Sequence, residues 1–119
     1  MAFVLPIRQG GRRHLTKLRT LANRLRLRQP ACSANVMTLC QMAERILGRV
    51  ERQPQSMHLA NLFPMYLETI VGNLRRYATL VAEEHGTTTR HKSLMATEEM
   101  VRSAIAAFEQ LWERLARED

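Results

Sequence analysis

The positions of proline and glycine constrain the fold of this chain more than any other feature. Pro30, Pro54 and Gly86 divide its 119 residues into four segments, and each segment carries apolar residues at helical spacing. No segment shows the alternating pattern of a half-buried strand. In the first segment, at about residues 11–28, the apolar residues gather on one side of a helix: Leu15, Leu18, Leu21, Ala22 and Leu25. The spacing therefore predicts an all-helical protein.

The second segment follows Pro30, takes Ser33 as its predicted N-cap and ends near Gln53. Its apolar stripe consists of Val36, Leu39, Cys40, Ala43, Ile46, Leu47 and Val50.

Pro64 interrupts the third segment, which spans about residues 58–84. Proline is tolerated in the first turn of a helix and disfavoured in its interior. We therefore predict a separate turn from Ser56 to Phe63 and a long helix that starts near Pro64. The predicted inward residues of that helix are Tyr66, Leu67, Ile70, Val71, Leu74, Tyr77, Ala78 and Val81.

The fourth segment runs from Ser93 or Thr97 to about Arg117. Its aligned apolar residues are Leu94, Val101, Ile105, Phe108, Trp112 and Leu115. Four amphipathic helices with short connections predict an all-α, four-segment antiparallel helical bundle. The length suits a single helical domain over residues 1–119, with a basic N-terminal segment at 1–30 and the helical core at 31–119.

Charge is distributed unevenly along the chain. The 18 basic side chains are all arginine except Lys17 and Lys92, and they outnumber the 11 acidic ones. Residues 1–54 carry 11 basic and 2 acidic side chains, whereas residues 55–119 carry 7 and 9. The two halves have net charges of +9 and −2, which together give the +7 of the whole chain. The excess of basic side chains in the first half predicts an anionic partner.

Ten basic residues form the predicted anion- or partner-binding surface: Arg12, Arg13, Lys17, Arg19, Arg24, Arg26, Arg28, Arg45, Arg49 and Arg52. Four of them fall within about 60° on the first helix, opposite its leucines: Arg13, Lys17, Arg24 and Arg28. Three others flank the apolar edge of that helix, and the last three share the outer face of the second. Guanidinium groups bind phosphates and carboxylates in forked geometry. The alternative is a solvated face whose arginines pair with carboxylates of this chain or of a second copy.

An acidic protein, a nucleic acid and an anionic membrane surface all suit a basic amphipathic helix. The first segment has no aromatic side chain to stack on bases or anchor at a membrane interface. It has a strong apolar stripe and no base-reading motif, and Leu27 on its polar side indicates a second contact surface. We therefore predict a small interaction or accessory protein that binds an acidic protein partner or forms a homo-oligomer. A nucleic-acid-binding regulatory module is the alternative, and peripheral membrane contact is less favoured.

No catalytic, cofactor or metal site is predicted. His85 and His91 bracket a loop that follows Glu83 and Glu84, but their spacing is that of a solvated loop and not of a zinc site. The carboxylates of the fourth segment suit helix-stabilising ion pairs, such as Glu98 with Arg102. The chain is therefore predicted not to be an enzyme.

Two cysteines cannot make a disulfide scaffold, so a reducing compartment is favoured. Cys32 and Cys40 would lie about 12 Å apart on one helix, beyond bridging distance, and Cys40 lies in an apolar stripe, where a thiol is inert. No apolar run approaches the roughly 18–20 residues of a transmembrane helix. A cytoplasmic location is therefore expected.

The third and fourth segments resemble the C-terminal helical part of the XpaC-like family, named for 5-bromo-4-chloroindolyl phosphate hydrolysis. The resemblance rests on residues 62–70, then Leu74, Tyr77 and Ala78, then residues 107–109 with Leu111. It includes an aromatic-proline start to a helix that ends in Tyr-Ala, and an acidic helix that closes on Ala-Phe. The resemblance implies a bacterial helical accessory protein and not a phosphatase.

Overall fold

A computed structural model describes residues 4–53, 57–83 and 86–117. Four helices account for nearly all of these residues: α1 (Val4–Leu25), α2 (Pro30–Arg52), α3 (Met57–Ala82) and α4 (Thr88–Arg117). The described part of the chain contains no strand. The prediction of an all-α, four-segment antiparallel bundle is confirmed.

α1 begins earlier than the apolar stripe predicts and ends three residues before the expected limit, in a turn over residues 26–28. Pro6 is compatible with this start because it occupies the first turn, where a backbone donor has no helical partner. Gly11 allows α1 to approach α2 closely. A Cβ atom on Gly11 would lie 2.9 Å from Cδ2 of the buried Leu47.

Ser33 is not the N-cap of α2. The helix begins at Pro30, whose ring already has a helical φ, and Gln29 is the capping residue. Ser33 therefore lies in the first turn, where it is 5% exposed. Its Oγ donates a hydrogen bond of 2.6 Å to the carbonyl oxygen of Ala22, so this hydroxyl ties α2 to the end of α1.

Pro64 does not start a helix. α3 is continuous over 57–82 with Pro64 inside it, so the predicted separate turn is wrong for residues 57–63, while Ser56 lies outside the described residues. Phe63 and Leu67 on either side of the proline are 1% and 0% exposed. Their packing maintains the helix although Pro64 cannot donate to the carbonyl of residue 60.

α4 begins at Thr88, before either predicted start. The hydroxyl of Thr87 accepts a hydrogen bond of 3.0 Å from the backbone N–H of Arg90. This contact is that of an N-cap residue, and it sets the start of the helix.

Cross-helix contacts define the direction of each helix. Arg12 contacts Glu51 and Arg19 contacts Glu44, so α1 and α2 run antiparallel. Phe63 contacts Phe108 and Tyr77 contacts Glu98, so α3 and α4 also run antiparallel. α1 packs on α2 and α3, α4 packs on α2 and α3, and α1 does not contact α4 in the described residues. The order around the bundle is therefore α1, α2, α4, α3, and α2 meets α3 across the diagonal.

The core includes every predicted stripe residue of α1 and α2. In α4 the fully buried residues recur every seven positions: Leu94, Val101, Phe108 and Leu115. Three predicted inward residues differ from expectation. Tyr66 is 62% exposed, and Ile105 and Trp112 are only half-buried. Tyr66 lines an opening between α3 and α4, whereas Trp112 lines a groove between α2 and α4.

Candidate functional site

The ten predicted surface arginines and lysines divide according to the partners they find within the chain. Arg12 and Arg19 form ion pairs with Glu51 and Glu44 of α2, at 3.4 and 2.5 Å. Exposed pairs of this kind contribute about 0–1 kcal/mol each. Their importance here is that the two carboxylates of α2 compensate these two charges.

Three other arginines donate to backbone carbonyls. Arg28 Nη1 donates to the carbonyl oxygen of Val81 at 3.3 Å, near the end of α3. Arg49 Nη2 donates to that of Leu115 at 3.5 Å, near the end of α4. A cation at a helix C-terminus interacts favourably with the helix dipole. Arg52 donates within its own helix, to the carbonyl of Gly48 at 2.9 Å.

The basic residues of α1 and α2 do not form one continuous surface. Arg49 contacts α4, and Arg45 lies with Glu109 and Glu113 along a shallow groove between α2 and α4. Glu44 and Glu51 lie on the other edge of α2, against α1. The predicted extension of the α1 surface through α2 is therefore interrupted by carboxylates.

Three cations of α1 and one cation of the turn that follows it form the α1 ridge, which we define as Arg13, Lys17, Arg24 and Arg28. Arg13 and Arg24 are exposed and Lys17 is half-buried. None of these three has a described carboxylate within ion-pair distance. From residue 13 to residue 24 the ridge extends about 17 Å along the helix. No carboxylate of the described residues pairs with these three cations, and the same holds for the exposed Arg26 in the turn after α1.

His14 lies beside this ridge. Burial lowers the pKa of His14, and the charges of Lys17, Arg13 and Arg75 lower it further, against the opposing effect of Glu68. Its Nδ1 is buried without a hydrogen-bond partner in the described residues. Two exposed residues of α3, Arg75 and Glu68, also lie near His14, so α3 contributes one charge of each sign beside the ridge.

Leu27 is the most exposed large apolar side chain of the described chain, with 89% of its surface accessible. It lies in the turn after α1, between Arg26 and Arg28. This exposure agrees with the predicted position of Leu27 on the polar side, and a second contact surface there stays a prediction.

A second surface lies between α3 and α4, which we call the α3/α4 groove. Its volume is about 670 Å³. The tilted rings of Phe63 and Phe108, with centroids 5.0 Å apart, line it together with Leu62 and Tyr66, which are 37% and 62% exposed. Sequence reasoning missed this groove because helical periodicity placed Tyr66 in the core.

Among the described residues, the two cysteines and Glu98 have structural surroundings. Cys32 and Cys40 are buried free thiols, and burial raises the pKa of Cys40 to about 11. A thiol with such a pKa is a poor nucleophile at neutral pH. The proposed pair of Glu98 with Arg102 is wrong. Glu98 accepts a 2.7 Å hydrogen bond from the buried Tyr77 hydroxyl, and Arg102 pairs with Glu99 at 2.7 Å.

No group of His, Cys, Asp and Glu side chains in the described residues could hold a metal ion. Of the residues weighed for a zinc site, Glu84 and His85 lie outside the described part of the chain. None of the described helices is long and apolar enough to cross a membrane.

No protein-family model, curated protein or solved structure matches the chain. The resemblance to the XpaC-like family therefore stays a prediction.

Proposed function

We propose that this protein is a non-enzymatic helical interaction module that binds an acidic segment of a partner protein through the α1 ridge. The observation that carries the proposal is Leu27, 89% exposed and placed between arginines at the end of the ridge. A phosphate backbone would neutralise the cations and leave this leucine in water. An acidic protein segment can pair with the cations and cover the leucine at the same time.

The ion pairs within the chain support the α1 ridge as the binding surface. The carboxylates of α2 pair with Arg12 and Arg19, whereas the exposed Arg13 and Arg24 and the half-buried Lys17 have no such partners in the described residues. Arg75 and Glu68 of α3 add one charge of each sign, so they leave the excess of the ridge unchanged. An external chain of carboxylates would supply the compensation that the described residues do not.

Burial of the α1 leucines bears on the choice between partner binding and self-association. Leu15, Leu18 and Leu25 are between 0% and 2% exposed within the bundle. Self-association through this stripe would require α1 to leave its own core. The exposed ridge requires no rearrangement, and this favours a partner in place of an exchange of α1 between copies.

The proposal includes a cytoplasmic location and a bacterial origin for the protein. Both cysteines are free, which suits a reducing cytoplasm. The resemblance to the XpaC-like family supports a bacterial accessory role without catalysis.

The proposal is tested by comparing two probes in a salt titration. One probe is an acidic peptide of about 16 residues with glutamates around a single leucine, which lacks the apolar face needed to fill a groove between helices, and the other is a random duplex DNA of similar charge. We expect the peptide to bind more tightly. The double variant Arg13→Gln/Arg24→Gln should weaken its binding and flatten the salt dependence, and Leu27→Ser should weaken it with little change in that dependence.

The matched control is Arg102→Gln/Arg117→Gln, which removes the same charge from exposed positions of α4. It should leave peptide binding unchanged. The nucleic-acid alternative predicts that the duplex binds more tightly than the peptide and that Leu27→Ser does not change its binding. It also predicts that the slope of the log binding constant against log salt concentration becomes shallower by about 1.8 in the ridge variant.

A further inference from the structure

We propose that the α3/α4 groove is a docking site for an amphipathic helix of a partner protein whose polar face is acidic. This site is separate from the α1 ridge. The groove extends from Leu59 and Arg114 at one end to Asn73 and Met100 at the other. Asn73 follows Leu59 by fourteen positions of α3, which corresponds to about 21 Å or four helical turns. Its length therefore suits a helix of similar size.

The floor of the groove is apolar and its edges are polar. Phe63, Ile70 and Phe108 are buried at its base, and Leu62 and Tyr66 stand exposed along one wall. Thr69, Asn73, Ser103 and Gln110 supply the polar lining. A helix that lays apolar residues into such a groove uses a common mode of peptide recognition.

Charge complementarity selects an acidic helix. Arg114 is the one charged residue among those that line the groove in the described chain. At the opposite end, the Arg76 guanidinium donates to the side-chain oxygen of Asn73, so a second cation lies beside the groove. No carboxylate lines it in the described residues. A partner helix with carboxylates near both ends would meet a cation at each.

A second copy of this chain fits the groove less well. The apolar stripes of α1 and α2 are buried in their own bundle, so neither helix can present leucines to a neighbour without unfolding. The outer surface of α1 is also cationic, which would oppose its approach to Arg114 and Arg76. These observations favour a different protein as the occupant.

The test uses a helical peptide of about 18 residues with leucines on one face and glutamates on the other. Its matched controls are the same peptide with lysines in place of glutamates and a scrambled peptide of equal composition. Fluorescence anisotropy measures binding to the full-length protein. We expect the acidic amphipathic peptide to bind, and both control peptides to bind at least about 10-fold more weakly.

Groove variants locate the site. Tyr66→Ser should weaken binding about 10-fold or more, as expected for an aromatic anchor, whereas Tyr66→Phe should retain it. Ala107→Trp should block the groove, because Ala107 lines it and is exposed. Arg114→Gln should weaken binding of the acidic peptide several-fold. Met95→Ser is the matched control, since Met95 is 54% exposed and lies outside the groove.

The results distinguish this site from the α1 ridge. If Arg13→Gln/Arg24→Gln abolishes peptide binding and Tyr66→Ser does not, the peptide occupies the ridge and the groove proposal is wrong. A dimer of the free protein that Tyr66→Ser dissociates would make the groove a contact between copies and would also overturn it. Circular dichroism melts of every variant ensure that lost binding is not lost folding.

Discussion

Ser33 of α2 donates a 2.6 Å hydrogen bond to the carbonyl oxygen of Ala22, and this bond connects the end of α1 to the start of the next helix. Ala22 is among the last four residues of α1, whose carbonyls have no partner within an ideal helix. The bond is buried, because Ser33 is 5% exposed and Ala22 is fully covered.

Replacing this hydroxyl should destabilise the bundle. Ser33→Ala leaves a buried carbonyl without its donor, and we expect the free energy of unfolding to fall by about 1–3 kcal/mol. Urea denaturation measures the change. Ser93→Ala, at an exposed serine of α4, is the control and should change the stability little. Equal stability of the two variants would show that Ala22 finds another donor.

Two glycines within helices should respond oppositely to alanine. Gly72→Ala should raise the free energy of unfolding by about 0.5–1 kcal/mol, because no atom other than the neighbouring residues and backbone of its own helix lies within 4 Å of the new Cβ, and alanine is the better helix former. Gly11→Ala should lower it by about 1 kcal/mol or more, because the new Cβ would lie 2.9 Å from Leu47 in the core. Thermal melts of both variants test the pair. A Gly11→Ala protein as stable as Gly72→Ala would show that Leu47 moves freely.

His14 should make stability depend on pH. Its pKa is lowered in the folded protein, first by burial and then by neighbouring cations, so the unfolded chain binds a proton more readily. The contribution to stability is therefore greatest above the unfolded pKa of about 6.5 and decreases as the pH falls below it. Urea midpoints at several pH values, compared between wild type and His14→Gln, measure the effect. The variant should lose less stability on acidification, and parallel curves would contradict this interpretation.

The two large aromatic residues in the second half of α4 should differ in their contribution to stability. Phe108 is 5% exposed and packs on Phe63, so Phe108→Ala should cost about 3–5 kcal/mol. Trp112 is only half-buried, so Trp112→Ala should cost less, about 1–2 kcal/mol. Denaturant titration checks the order. A larger loss at Trp112 would mean that its packing is closer than its exposure indicates.

The helical period of the apolar residues was sufficient to predict the all-α fold and most of the core. Every predicted stripe residue of α1 and α2 is buried, because α1 packs on α2 and α3, and α2 packs on all three other helices. The cationic residues of α1 were also predictable, since their excess over acidic residues is visible in the chain itself.

The tertiary structure decided which of these residues remain available to contact a partner. The helical period places Arg12 and Arg19 at the apolar edge of α1 and Arg13 and Arg24 opposite its leucines, but it does not show that only the first two meet carboxylates, 39 and 25 residues away on α2. Tyr66 has the spacing of a core residue, yet it lines a groove because α3 and α4 leave that flank open. Periodicity determines which side of a helix is apolar, because it depends on residues within a few turns. How completely a neighbouring helix covers that side depends on packing between distant segments, and local spacing does not contain this information.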